Sequence, residues 1–256
     1  MNVRRLPAVL VGLTILAQIG YPLVGGSARN GVTVVTVVLG FAAAVTHAAA
    51  TRGARTAAAV VLVTAGGGLL VEALGTASGF PFGEYSYAGT LGPKVLGVPW
   101  VIPLAWTMMA WPAWLVAGRL VAGWWRVAVA GWALASWDVF LDPQMVDAGH
   151  WSWSSSGVAL PGVPGIPLTN YVGWVLVAVV MFAALRLLRV DPDAEPGTPM
   201  LVFYLWTYAS SVLAHAAFFG LPASAAWGAL AMGTVAVPLA VTLFREARAG
   251  ALVSSP

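Results

Sequence analysis

Three carboxylic acids, Glu72, Asp138 and Asp142, lie inside or at the rims of hydrophobic stretches long enough to cross a bilayer. An ionisable side chain at membrane depth costs at least a few kcal/mol and is rarely kept without a task, the structural alternative being a hydrogen bond between helices. Deprived of water, a carboxylic acid tends to hold its proton and becomes able to protonate a poor base such as an alkene. The resulting carbocation is stabilised by the faces of Trp and Tyr rings, more strongly where water is largely excluded. Other chemistries lack their equipment. The sequence has no Gly-rich phosphate loop, no paired Asp motif of the kind that holds a magnesium diphosphate, and no His cluster for iron. It has no cysteine, which removes disulfides, thiolate ligands and a cysteine nucleophile.

These acids need elements to position them, and composition names the class. Apolar residues make up 60% of the chain and charged residues 8%, against roughly 25% charged in soluble globular domains. The apolar runs are Leu6 to Val24, Val32 to Ala50, Thr56 to Ala77, Val98 to Val116, Trp124 to Leu141, Leu168 to Leu188, Met200 to Phe219 and Ala223 to Phe244. Each approaches the roughly 20 residues that a spanning helix needs. The predicted fold is therefore all-α, a polytopic membrane helix bundle of eight transmembrane helices, with residues 1–256 forming a single transmembrane domain. With both termini cytoplasmic, the inner side collects Arg4, Arg5, Arg52, Arg55, Arg119, Arg126, Arg186, Arg189, Arg245 and Arg248, and the outer side only Arg29 and Lys94. That asymmetry obeys the positive-inside rule and accounts for the basic balance without nucleic acid. The expected location is the cell membrane, with multiple passes. Asp191, Asp193 and Glu195 read as the solvated surface of a short loop, and Ala249 to Pro256 as a loose tail.

The topology places the acids in one leaflet. Glu72 precedes the Gly79 turn by about two helical turns, roughly 10 Å below the outer rim. Asp138 and Asp142, four residues apart, share a helical face, and Pro143 is expected to end their helix. Gly68, Gly75 and Gly79 fall on the Glu72 face, where small residues let a neighbouring helix approach. In the seventh span Tyr204, Tyr208, Ser211 and His215 form a polar stripe expected to point into the bundle. His47, His150 and His215 are too dispersed for a metal triad.

Two outer loops hold the densest aromatic content, Phe80 to Tyr87 and Trp151-Ser152-Trp153. An interfacial belt accounts for most of the 13 Trp. Tyr85, Tyr87, Trp151 and Trp153, at alternate positions beside the acids, also suit a lid over an apolar slot. Asn170 and Trp174, again four apart, would close the ring.

Taken in order, Pro81-Phe82-Gly83-Glu84-Tyr85-Ser86-Tyr87, Gly97-Val98-Pro99, Pro103-Leu104-Ala105-Trp106, Trp137-Asp138-Val139-Phe140-Leu141-Asp142-Pro143-Gln144-Met145, Trp151-Ser152-Trp153 and Pro167-Leu168-Thr169-Asn170-Tyr171-Val172-Gly173-Trp174 resemble the integral-membrane carotenoid biosynthesis proteins. That family includes carotenoid 1,2-hydratases acting on γ-carotene and on bisanhydrobacterioruberin. The resemblance runs from about residue 66 to 175; the loop Pro161 to Pro167, with two similar tripeptides in succession, aligns ambiguously.

The resemblance implies a hydro-lyase that adds water across the terminal 1,2 double bond of an acyclic carotenoid end group, C50 carotenoids included, giving a tertiary alcohol with no redox cofactor and no metal. Glu72, Asp138 and Asp142 are the catalytic set; Asp138, which lies deeper, reads as proton donor and Asp142 as base. Asn170, Trp106, Trp137, Tyr85, Tyr87, Trp151, Trp153, Trp174, Tyr208 and His215 are the expected substrate-binding residues. The implied partners are a lipophilic carotenoid, water and the lipid bilayer, with handover from other carotenoid-pathway enzymes left open. Two alternatives share the residues: a carotenoid end-group cyclase or isomerase using the same protonation, and a proton-coupled transporter of a small solute.

Overall fold

Apolar backbone shielded from water must satisfy its own hydrogen bonds, and the apolar runs accordingly form helices. The computed structural model describes residues 5–154, 157–191 and 197–253, so Arg4, Asp193 and Glu195 lie outside the described residues. In chain order the helices are α1 (Leu6–Gly20, continued by a tight turn Tyr21–Leu23), α2 (Gly26–Arg52), α3 (Ala54–Ser78), α4 (Ile102–Leu120), α5 (Trp125–Asp147), α6 (Leu168–Leu187), α7 (Thr198–Ala217) and α8 (Pro222–Val253). They follow the expected spans one for one. The segment Leu6–Leu23 and helices α2, α3, α6, α7 and α8 are long and apolar enough to cross a membrane. Helices α4 and α5 differ for a packing reason. Nearly every residue of α4 from Pro103 to Ala117 is buried, and it touches α2, α3, α5, α7 and α8. A helix sheathed by other helices can carry Trp and acids that a lipid-facing one cannot.

Two expectations about helix ends need correction. The stretch Ala249–Val253 is the last part of α8 and not a loose tail. The preceding Arg-Glu-Ala-Arg-Ala run is rich in helix formers, and Glu246 pairs with Arg119 on α4. Nor does Pro143 end its helix, because α5 continues to Asp147. Proline cannot donate to the carbonyl four residues back, here that of Val139. Ser224 Oγ on α8 supplies the missing hydrogen at 2.9 Å, so the ladder is repaired from outside. Ser224→Ala, which strands a buried carbonyl, is expected to cost about 1–3 kcal/mol, read as a lower midpoint of thermal unfolding in detergent.

The aromatic loops are not irregular. Strand β1 (Tyr85–Tyr87) pairs antiparallel with β4 (Trp151–Trp153), with Tyr85 opposite Trp153 and Tyr87 opposite Trp151; β2 (Lys94–Val95) pairs with β3 (Val98–Pro99). Alternate residues of a strand point to opposite faces. Tyr85, Tyr87, Trp151 and Trp153 therefore share the inner face of the β1–β4 ribbon, leaving Ser86 and Ser152 on the other. Residues of α3 and α5 carrying the acids lie beneath this end of the bundle.

Candidate active site

Glu72 owes its surroundings to two glycines. A Cβ at Gly68 would stand 2.7 Å from the Trp106 ring, and one at Gly75 would stand 2.7 Å from Tyr85 Oη. Their absence lets α4 and β1 close on the carboxylate. Tyr85 Oη donates to Oε2 at 2.5 Å, Tyr87 Oη to Oε2 at 2.7 Å, and Trp106 Nε1 to Oε1 at 3.1 Å. Three converging donors are complementary to negative charge. Burial, and then the charge of Glu72, pushes both phenols above their ordinary value, so Tyr85 and Tyr87 remain donors at neutral pH. Gly79 has a separate task from Gly68 and Gly75: with φ +75° it takes the left-handed conformation that terminates α3.

Asp138 and Asp142 share a face, as their spacing predicts. Asn170 Nδ2 donates to Asp138 Oδ2 at 2.8 Å and also to Asp142 Oδ2. Trp151 Nε1 donates to Asp142 Oδ1 at 2.9 Å. Asn170 thus holds the two carboxyls side by side, and two carboxyls so placed cannot easily both ionise. Both are almost wholly buried, as are Glu72 and Asn170.

A cavity of about 1250 Å³, its mouth included, adjoins these groups. Glu72, Asp142 and Asn170 line it with Trp106, Trp137 and Trp174, and the ribbon contributes Tyr85, Tyr87, Trp151 and Trp153. Trp106 and Trp174 stack with centroids 4.0 Å apart and planes 8° from parallel, while Trp137 meets Trp174 edge-on at 6.4 Å. The expected site is thus largely assembled in one place, with three exceptions. Asp138 is fully buried and outside the cavity wall, hydrogen-bonded to Asn170, which lines it. Tyr208 Oη donates to the Ala229 carbonyl, and His215 Nδ1 bonds Ser224 Oγ at 2.9 Å. These last two belong to the seam between α7 and α8 and not to the cavity, because their side of α7 packs against α8. Among the described residues, no group of three or more His, Cys, Asp or Glu side chains is placed to hold a metal ion.

The cavity also has a wall that the sequence analysis missed. Gln18, Tyr21, Thr33 and Thr36 border it from α1 and α2, and Thr207 and Ser210 join Ser211 from α7. The available signal was a polar residue in an otherwise apolar span, clearest at Gln18.

A family profile described as carotenoid biosynthesis protein matches residues 32–233. The chain belongs to this family. Comparison with curated proteins and with solved structures gave no match. The family match reaches well beyond the segment 66 to 175 and takes in α3 to α7 entire, so it contains all three acids, Asn170 and the aromatic ribbon. Gln18 and Tyr21 precede it. The carotenoid biosynthesis family match thus covers the carboxyls and the Trp rings that line the cavity.

Proposed function

We propose that this carotenoid biosynthesis protein is a cofactor-independent hydratase of acyclic carotenoid end groups. The observation that carries the reading is the Asp142–Asn170 pair, backed by Asp138, bordering an aromatic cavity that also has a hydroxyl-bearing wall. Asp142, at the cavity wall, is the proton donor, a role that depth alone gave to Asp138. Its proton adds to the less substituted carbon of the terminal double bond, leaving a tertiary cation on the neighbouring carbon. Trp106 and Trp174 present ring faces to that cation, and the Glu72 carboxyl lines the same cavity. Water forms the new C–O bond and returns its surplus proton to the Asp142 carboxylate, so the acid is regenerated and the net reaction is alkene plus water to tertiary alcohol. Asp138 acts from behind, holding the proton-sharing pair in register through Asn170.

A cyclase would begin with the same protonation but must keep water from the cation. Thr33, Thr36, Thr207, Ser210 and Ser211 in the cavity wall argue for hydration instead, since they give water hydrogen-bonding partners. The test is expression in hosts accumulating lycopene or an acyclic C50 carotenoid, with pigments resolved by chromatography and mass spectrometry. The expected product is heavier by one water. An isomer of unchanged mass would make the protein a cyclase or isomerase, and no conversion of either pigment would sink the hydratase reading.

A further inference from the structure

Most threonines inside these helices bond their own backbone: Thr14 Oγ1 donates to Leu10, Thr33 to Arg29 and Thr46 to Ala42, each four residues back. Thr36 Oγ1, Thr207 Oγ1 and Tyr21 Oη do not. All three oxygens are buried and have no hydrogen-bond partner among the described residues. All three residues border the same cavity as Glu72 and Asp142. They come from α2, α7 and the turn ending α1, and α1 packs against both α2 and α7. The Tyr21 ring is held in place by Phe219, edge-on at 5.6 Å, and by the Arg29 guanidinium 5.5 Å from its centroid.

A buried hydroxyl left unpaired costs about 1–3 kcal/mol, and a polyene offers it nothing. A water molecule needs two to four polar partners, and a polar recess inside a protein normally supplies them to water. We infer that the part of the cavity wall that carries the hydroxyls of Tyr21, Thr36 and Thr207 binds the water that captures the cation. Resting on the hydratase reading, this gives the site two distinct walls: acids and rings that make the cation, and hydroxyls that hold the nucleophile ready. Holding water there sets the fate of the cation. If water oxygen reaches it, the C–O bond forms and a proton returns to Asp142. If not, the cation loses a proton from an adjacent carbon to the same carboxylate, giving an isomer of unchanged mass.

The test is the product ratio in a triple variant, Tyr21→Phe, Thr36→Val and Thr207→Val, each change removing an oxygen while nearly conserving shape. In the folded variant the ratio of hydrate to isomer should fall about tenfold or more. Thr36→Ser with Thr207→Ser, which keep the hydroxyls, should restore the ratio on the Tyr21→Phe background in large part. A high-resolution structure of the unsubstituted protein should show ordered water bonded to at least two of the three hydroxyls. An unchanged product ratio, hydrate and isomer falling together in a folded variant, or a lipid or polyene chain packed against the hydroxyls would each overturn the water site and leave the hydratase reading standing. Absence of any hydrate from the unsubstituted protein would instead overturn that reading and the water site with it.

Discussion

Asp142→Asn is expected to lower hydrate formation by roughly 10²-fold or more, the scale of losing a positioned general acid, while the protein still folds and accumulates in the membrane. The amide matches the carboxyl in size, and its oxygen can still accept from Trp151 Nε1, which bonds Asp142 Oδ1 at 2.9 Å, but its NH2 then stands where Oδ2 accepts from Asn170 Nδ2, so some stability is lost as well. What disappears is the acidic proton at the only member of the Asp138–Asp142 pair that borders the cavity. Asp138→Asn provides the comparison. It alters a carboxyl behind the wall, so its loss of product should be the smaller of the two. Product yield per unit of folded protein, with thermal unfolding in detergent as the control, measures both. Asp142→Asn retaining most of its activity beside an inactive Asp138→Asn would return the donor role to the deeper acid.

The sequence made the bundle legible because lipid imposes a length and an apolarity that soluble context does not. It also singled out Glu72, Asp138, Asp142 and Asn170, whose polarity conflicts with their neighbours and which the fold gathers at or just behind one cavity. What it could not show depended on distant partners. Pro143 reads as a helix end until Ser224 on α8 is known to satisfy Val139, and nothing local to Pro143 announces that. The β1–β4 pairing joins two three-residue segments across two helices, too short to carry a pattern of their own. On α7 the spacing of Tyr204, Tyr208, Ser211 and His215 correctly marked a polar face, yet Tyr204, Tyr208 and His215 spend their polarity on α5 and α8 while Ser211 borders the cavity. Thr36 and Thr207 were missed for the opposite reason. A threonine bonded to its own backbone, such as Thr14, looks the same in sequence as one left open.

Asn170→Ala should be nearly as damaging to catalysis as loss of the donor, and more damaging to stability. One amide nitrogen, with two hydrogens, serves two carboxyls: it donates to Asp138 Oδ2 at 2.8 Å and to Asp142 Oδ2. Among the described residues no other side chain is seen to donate to both. Removing it leaves buried acceptors short of donors, a cost of about 1–3 kcal/mol, and frees the carboxyls to turn away from the geometry in which they share a proton. Loss of a positioned donor of this kind lowers rates by roughly 10²-fold or more, and a small displacement of an acid from its reacting carbon has a similar effect. Asn170→Ala is therefore expected to combine a lower unfolding midpoint with a roughly 10²-fold fall in hydrate, and its fall in midpoint should exceed that of Asp142→Asn, which disturbs one of the two bonds made by the amide. Asn170→Gln separates chemistry from position, because it keeps both hydrogens but carries them one methylene further; it should recover stability more fully than product. Hydrate formation at the unsubstituted level in Asn170→Ala would show that the acids hold their register without the amide, and would leave Asp142 to act without Asp138 behind it.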